Sequence, residues 1–137
     1  MRVVLDTNVL ISGTFWTGDS FRVLEGIDQG KAEIIISEEL ISEYDDVLTR
    51  EEIAEKIENK SLVIRDIVQK VISRAKIVEP SEKFDILKED PDDNIILDCA
   101  FEGKVDFIVS QDKHLLRLGE FKGIKIVSPE EFLRRLG

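Results

Sequence analysis

Two aspartates follow short apolar runs near opposite ends of the chain. Asp6 comes directly after "VVL", and Asp112 follows "FIV" with Ser110 and Gln111 between. Apolar runs of this length predict buried strands. Ligands bind outside the carboxyl ends of the strands in a parallel sheet, so both carboxylates are expected at one edge of such a sheet. Each aspartate could instead be a separate helix cap, and the two residues alone leave that alternative open.

A third candidate carboxylate lies in the segment "EDPDDNIILDCA". Asp90 can cap a helix that has Pro91 at its first position, and Asp93 then falls in the first turn, where acids are favoured. Capping does not require three aspartates in four residues, however. Asp93 lies one turn before Leu97, which predicts that it faces the buried side, whereas Asp90 and Asp92 are predicted to face water.

A fourth candidate lies in "SEELISEYDDVL". The helical periodicity of this segment makes an apolar stripe of Leu40, Ile41, Tyr44, Val47 and Leu48. Glu43 and Asp45 border the stripe on opposite sides. The periodicity does not choose between them, and a solvated helix edge explains either residue.

Together the segments "VVLDTNVLIS", "SEELISEYDDVL", "DPDDNIILDCA" and "FIVSQDKHLL" resemble PIN domains in order and spacing. They look most like the VapC-like group, the toxin components of toxin–antitoxin systems. The likeness covers nearly the whole chain, including "IVSPEEFL" near the C-terminus. It implies metal-dependent ribonuclease activity on single-stranded RNA and, in toxin members, an antitoxin partner.

The resemblance also implies a site. It places four acids around one or two Mg²⁺ or Mn²⁺ ions, namely Asp6, Glu43, Asp93 and Asp112. Asn8 and Ser110 match the polar residues that support the site in the family, and are expected to orient the Asp6 and Asp112 carboxylates by hydrogen bonds. Asp92 is the alternative ligand at this place in the sequence, and we favour Asp93.

Four close carboxylates repel one another, so such a cluster needs a cation or protons. Hard oxygen ligands favour Mg²⁺ or Mn²⁺, and the single His114 and single Cys99 argue against a zinc site. An ion held this way activates water and stabilises the transition state of phosphodiester hydrolysis, and two ions ~4 Å apart would do both at once. Asp6, Asp93 and Asp112 are the expected main ligands. Glu43 would bind the second ion or position the water.

The net charge of −10 argues against non-specific binding to nucleic acid, and would suit either a metal site or a plain acidic surface. Substrate phosphates must then be held locally, and Lys113 and His114 beside Asp112 are the predicted contacts. His114 could instead cap the helix that follows. Less specific candidates for phosphate contacts are Arg50, Lys56 and Lys60, which could equally form a solvated helix face. Phe15 and Trp16 could stack on a base, or could equally be core or dimer contacts.

The elements that must position these residues alternate along the chain. Strands are predicted at 2–5, 32–36, 76–79, 105–109 and 124–127. Helices are predicted at 19–29 with Asp19 or Ser20 as cap, from Ser37 to about Thr49, at 51–75 with a break near Asn59 and Ser61, at 91–102 with a stop at Gly103, at 113–118, and from Pro129. The alternation predicts one three-layer α/β/α domain over residues 1–137, with a central parallel sheet.

Composition adds limits on compartment and assembly. No apolar stretch approaches the ~20 residues of a membrane span, and Asp6 and Asn8 interrupt the N-terminal run as no signal peptide would. Cys99 sits in an apolar helical pattern and is predicted to be a core residue of a cytoplasmic protein. The amphipathic segment 51–75 could form the interface of a homodimer or higher oligomer, could bind an antitoxin, or could close the domain's own core.

Two classes of protein compete with the nuclease interpretation: other α/β proteins with an aspartate after the first strand, and a non-catalytic binding module. A haloacid-dehalogenase-type phosphatase has a second aspartate two residues after the first, where this chain has Asn8, and a receiver-like domain needs a pair of acids and a late lysine that are missing here. A non-catalytic binding module on the same fold is the remaining alternative, and the intact set of acids argues against it.

Overall fold

A computed structural model describes residues 1–15, 18–48, 70–88 and 93–137. The strands of this part are β1 (Arg2–Leu5), β2 (Glu33–Ser37), β3 (Lys76–Val78), β4 (Phe107–Val109), β5 (Glu120–Phe121) and β6 (Ile124–Val127). The helices are α1 (Thr7–Phe15), α2 (Asp19–Asp28), α3 (Glu38–Leu48), α4 (Asp93–Gly103), α5 (Lys113–Leu118) and α6 (Pro129–Leu136). Several predicted features lie outside the described residues: the helices over 51–69, the cap at Asp90, and residues Trp16, Arg50, Lys56, Lys60, Pro91 and Asp92.

The strands form one sheet in the order β3-β2-β1-β4-β6-β5. All neighbouring pairs are parallel except β5 with β6, which is antiparallel. The predicted parallel sheet is therefore confirmed, with a short antiparallel edge strand added. From β1 the chain first builds outwards through β2 and β3, and then returns to the other side of β1 with β4. The strand order thus reverses between β1 and β4, where open α/β sheets bind their ligands.

Helices cover both faces of the sheet, which explains the continuous apolar runs in its central strands. Val3, Val4 and Leu5 are fully buried, as is Ile108 beside them. Helix α4 packs against β1, β2, β3 and β4, while α2 packs against α1 and α6. None of the described helices is long and apolar enough to cross a membrane.

Helix α1 was not predicted. Its residues are apolar on most sides, so they lack the one-sided period that marks a surface helix, and Val9 and Leu10 are fully buried. Asp6 begins this helix, because its carbonyl oxygen accepts hydrogen bonds from the backbone N–H groups of Val9 and Leu10 at 3.0 and 3.2 Å. The helix therefore starts where β1 ends and leaves Asp6 at the turn between them.

The predicted caps met different outcomes. Ser37 caps α3, because its hydroxyl accepts the N–H of Leu40 at 3.2 Å. Neither Asp19 nor Ser20 caps α2: the N-cap residue is Gly18, and the helix begins at Asp19 without a side-chain cap. Helix α5 ends at Gly119, as predicted, with φ of 71° at that residue.

Helix α4 ends at Gly103, as predicted, but Gly103 does not supply the left-handed conformation at the end of the helix. It is the last residue of α4, and the left-handed conformation beyond it is adopted by Lys104, with φ of 50°. A Cβ at position 103 would lie 2.5 Å from Cγ2 of Ile35 on β2. The missing side chain therefore lets α4 approach the sheet closely.

Gly103→Ala is expected to lower the free energy of unfolding by about 1–3 kcal/mol, because the buried Ile35 side chain must move. Lys104→Gly should instead leave stability unchanged or raise it by up to about 1 kcal/mol, because glycine adopts a positive φ without strain. Urea denaturation of both variants measures the difference. Equal destabilisation by the two changes would contradict the assigned roles.

Cys99 is fully buried on α4, as predicted for a core residue. Burial raises the pKa of its thiol from 9.0 to about 12, although a hydrogen bond with Ser37 acts in the opposite direction. A thiol reagent is therefore expected to label Cys99 slowly in the folded protein and rapidly in denaturant at the same pH. Because the thiol has its higher pKa in the folded chain, its ionisation favours the unfolded chain. The stability that the neutral thiol contributes should therefore be lost as the pH rises from 9.0 to about 12. Fast labelling of native protein at neutral pH would contradict the buried placement.

Candidate active site

Asp6 lies at the carboxyl end of the central strand β1 with 4% of its surface exposed. Its backbone N–H donates to the carbonyl of Val109 at the end of β4, at 2.9 Å. Its carboxylate oxygen Oδ2 accepts a hydrogen bond of 2.7 Å from the hydroxyl of Ser110. Main chain and side chain thus both tie Asp6 to the neighbouring strand at the point where the strand order reverses.

Ser110 connects Asp6 to the second predicted aspartate. The oxygen that donates to Asp6 also accepts the backbone N–H of Asp112, at 2.9 Å. Ser110 therefore orients the Asp6 carboxylate as predicted, but it holds Asp112 through its main chain and not through its carboxylate. The carboxylate of Asp112 accepts the N–H groups of His114 and Leu115, at 2.8 and 3.2 Å, and so caps α5.

The two readings left open by the sequence are therefore compatible. Asp6 begins α1 and Asp112 caps α5, yet the hydroxyl of Ser110 brings the two residues to one place. The cap fixes the side chain of Asp112, and the hydroxyl of Ser110 fixes the side chain of Asp6. A binding site needs rigid support of this kind.

The pKa of Asp6 is raised by its burial, and the negative charge of Asp112 adds to this effect. Hydrogen bonds from Ser110 and from the backbone N–H groups of Asn8 and Thr7 lower the pKa without cancelling the rise. A buried carboxylate beside a second one is stabilised by a cation or by a proton. Asn8 therefore supports Asp6 through its main chain, while its side chain is exposed.

Asp93 and Glu43 occupy the two helices next to this pair. Asp93 is the first residue of α4 and is 7% exposed, as predicted from its spacing to Leu97. Glu43 is half-buried on α3, whereas Asp45 is exposed, so the structure distinguishes two residues that periodicity did not. Glu43 lines an acidic groove of about 570 Å³ that also reaches Ile95, in the first turn of α4.

Tyr44 links α3 to the end of β1. It is buried, and its hydroxyl donates to the carbonyl of Leu5 at 2.5 Å. Burial raises the pKa of Tyr44 well above its usual value, and the charges of Asp6 and Glu43 add to the rise. The sequence placed Tyr44 in an apolar stripe, and only its polar tip, which needs a partner when buried, hinted at this second role.

The acids do not all meet. Among residues 1–15, 18–48, 70–88 and 93–137, no group of three or more His, Cys, Asp and Glu side chains is arranged to hold a metal ion. The structure brings Asp6 and Asp112 together, and the cluster of four carboxylates stays a prediction. The donor chemistry fits a hard divalent cation, because the pair is acidic and Asp6 is held away from water.

A groove of about 500 Å³ opens beside Asp112 and is lined by Asn8, Ile11, Gln111, Asp112, Lys113 and His114. Lys113 is exposed and His114 is half-buried, so both predicted substrate contacts border the space next to the paired aspartates. His114 does not cap α5, since Asp112 does.

Asn94 was missed as a positioning residue. It is buried on α4, where its Oδ1 accepts the N–H groups of Ile86 and Leu87 at 3.1 and 3.0 Å, and its Nδ2 donates to the carbonyl of Leu87 at 3.0 Å. Four residues further on, Asp98 accepts the N–H of Phe84 at 2.7 Å. These bonds hold the irregular segment 84–88 against α4. A polar residue on the buried side of a helix was the available signal.

Comparison with known proteins agrees with this architecture. VapBC2 from Rickettsia felis, in a crystal structure with a DNA fragment from their promoter, is similar in fold with a TM-score of 0.59 and 16% sequence identity, over 93% of this chain and 98% of that chain. No curated protein matches the sequence at a significant level. The PIN domain family matches residues 2–114, which include Asp6, Glu43, Asp93 and Asp112. This chain therefore belongs to the PIN domain family.

Proposed function

We propose that this chain is a divalent-metal-dependent ribonuclease that hydrolyses phosphodiester bonds in single-stranded RNA. PIN domains are generally nucleases, and this chain belongs to that family. The observation that carries the proposal is the pair of aspartates at the reversal of the strand order. There Asp6 is buried and accepts a hydrogen bond from Ser110. Its burial and the charge of Asp112 raise the pKa of its carboxyl group.

The proposed ligands of the ion are Asp6, Asp93 and Asp112, and Glu43 is proposed to bind a second ion or to position the water. A divalent ion bound there would supply activation of water and charge stabilisation in the transition state. The chain's own contribution is rigidity. Ser110 sets the Asp6 carboxylate, and Tyr44 ties α3 to the end of β1, so the donors are ordered before anything binds.

Substrate phosphates are proposed to bind at Lys113 and His114, in the groove beside Asp112. A local pair of basic residues reconciles binding of a polyanion with a net charge of −10. Asn8, whose side chain is exposed, lines the same groove. An extended single strand fits an open groove better than a duplex does, because its phosphates and bases can be contacted one by one.

The biological role proposed is that of the toxin in a toxin–antitoxin pair, with RNA processing as the alternative. The structural likeness to VapBC2 supports this role, together with the resemblance of the four acidic segments to VapC-like proteins. An antitoxin protein, a homodimeric or higher assembly, and a cytoplasmic location belong to the same proposal.

The test is cleavage of an unstructured RNA by the purified protein with Mg²⁺ or Mn²⁺, and with excess EDTA. We expect cleavage with either ion and none with EDTA. A small phosphomonoester in parallel should not be hydrolysed. Hydrolysis of the phosphomonoester alone would support the phosphatase alternative, and binding of RNA without cleavage under any metal would support the non-catalytic module.

A further inference from the structure

A second groove shares His114 with the groove at the candidate site. Its volume is about 380 Å³, the size of a small-ligand site, and it is lined by Ile86, Leu87, Lys88, His114, Arg117 and Leu118. We call it the α5 groove, because half of its lining residues come from α5. The groove at Asp112 also contains His114, so the two grooves adjoin.

The α5 groove is basic in an acidic chain. Among the residues that the structure describes, Lys88, His114 and Arg117 line it and no carboxylate does, although the net charge of the chain is −10. Lys88 is partly neutralised by an ion pair of 2.6 Å with Asp85. Among the described lining residues, Arg117 is therefore the permanent cation that has no such ion pair.

Arg117 differs from the other arginines that the structure describes. Five of them pair with a carboxylate, and they are Arg2, Arg22, Arg74, Arg134 and Arg135. In the described part of the chain, Arg117 has no such pair. A guanidinium without a carboxylate presents its planar set of donors to an incoming anion, and a phosphate matches that geometry.

Helix geometry places Arg117 on the same face of α5 as His114, which also lines the groove at Asp112. Spacings of three and four residues put His114, Arg117 and Leu118 on one face of α5, which begins at the cap residue Asp112. Across the groove, Ile86 exposes 42% of its surface, and Asn94 holds its backbone in place. The groove thus combines a cationic group with apolar side chains.

We propose that the α5 groove binds a nucleotide of single-stranded RNA next to the bond that is cleaved. Arg117 binds its phosphate, and Ile86 and Leu118 contact its base without distinguishing between bases. The strand then runs from the groove at Asp112, past His114, into the α5 groove. This inference rests on the proposed ribonuclease function. It assigns a contribution to the affinity for RNA to Arg117.

The test compares Arg117→Gln with Arg134→Gln, a matched loss of charge on α6. Binding of a labelled, unstructured RNA of about 12 nucleotides is followed by fluorescence anisotropy in excess EDTA, at several salt concentrations. We expect Arg117→Gln to raise Kd about fivefold and to reduce the salt slope by roughly 0.7, the value for one lost contact with a single strand. Arg134→Gln should leave both unchanged.

Steady-state cleavage separates the inference from the function on which it rests. Arg117→Gln should raise KM about fivefold with kcat nearly unchanged, because the residue acts on binding and not on the reacting phosphate. For a dinucleotide too short to reach the α5 groove, the two variants should behave alike. Equal Kd and KM for both variants, in a preparation whose wild type cleaves RNA, would overturn the α5 groove. Absence of cleavage by the wild type would instead overturn the ribonuclease.

An independent change probes the other wall of the groove. Ile86→Asp adds a negative charge at an exposed position and should weaken RNA binding at least as much as Arg117→Gln does. Its far-ultraviolet circular dichroism should match that of the wild type. Normal RNA affinity of a folded Ile86→Asp protein would also contradict the proposal.

Discussion

Asp6→Asn is expected to reduce the rate of metal-dependent RNA cleavage roughly 100-fold or more. Mutation of a residue that only supports a metal ligand typically costs about 10- to 100-fold, and a ligand should cost at least as much. Asparagine is isosteric and can still accept the hydrogen bond from Ser110, so the local geometry should persist. The change removes the negative charge with which Asp6 would bind the cation. The measurement is the cleavage rate at saturating Mg²⁺ or Mn²⁺.

The same substitution should leave the protein equally stable or more stable. Burial raises the pKa of Asp6, so its ionised form is disfavoured in the folded state at neutral pH and costs stability there. A neutral asparagine avoids that cost. Residues that are needed for activity often lower the stability of the folded protein in this way. Lost activity with an undiminished melting temperature would therefore identify a functional role.

Asp45→Asn is the matched control, because it makes the same change at an exposed position of α3. It should change neither activity nor melting temperature. Asp112→Asn should behave like Asp6→Asn in the cleavage assay and keep α5 in place, because asparagine is also a good N-cap. Full activity of both Asp6→Asn and Asp112→Asn would refute the proposed site.

Asn94→Ala is expected to lower the free energy of unfolding by about 2–4 kcal/mol. The change removes three hydrogen bonds at once and leaves the N–H and C=O of the buried Leu87 without their partners. An unsatisfied buried polar group costs more than the net value of the bond it has lost. Urea denaturation measures the loss, and amide exchange of Ile86 and Leu87 shows whether segment 84–88 opens first.

Asn8→Ala provides the comparison, since the Asn8 side chain is exposed and alanine favours a helix. Its expected effect on stability is within about 0.5 kcal/mol. A loss of under 1 kcal/mol for Asn94→Ala would contradict the assigned role. Because Ile86 lines the α5 groove, Asn94→Ala should also weaken RNA binding. Asn8→Ala is a control for stability only.

The short edge hairpin shows where local patterns were insufficient. β5 and β6 are joined by Lys122 and Gly123, both with positive φ, at 49° and 84°. Such a two-residue turn normally has Asn or Asp before its Gly, and the chain has Lys at that position, so the hairpin was not predicted. The pairing of β5 with β6 supplies the stability that the turn residues alone do not.

The sequence by itself determined the alternation of strands and helices, the burial of Cys99 and Asp93, and the position of Asp6 and Asp112 at strand ends. These features follow from local periodicity, which records which side of each element faces away from water. Only the tertiary structure showed that Glu43 is half-buried while Asp45 is exposed. It also joined Asp6 to Asp112 through Ser110, and assigned partners to Tyr44, Asn94 and Gly103. A partner distant in sequence leaves no local pattern, because hydrogen bonding and close packing depend on which elements the fold brings together.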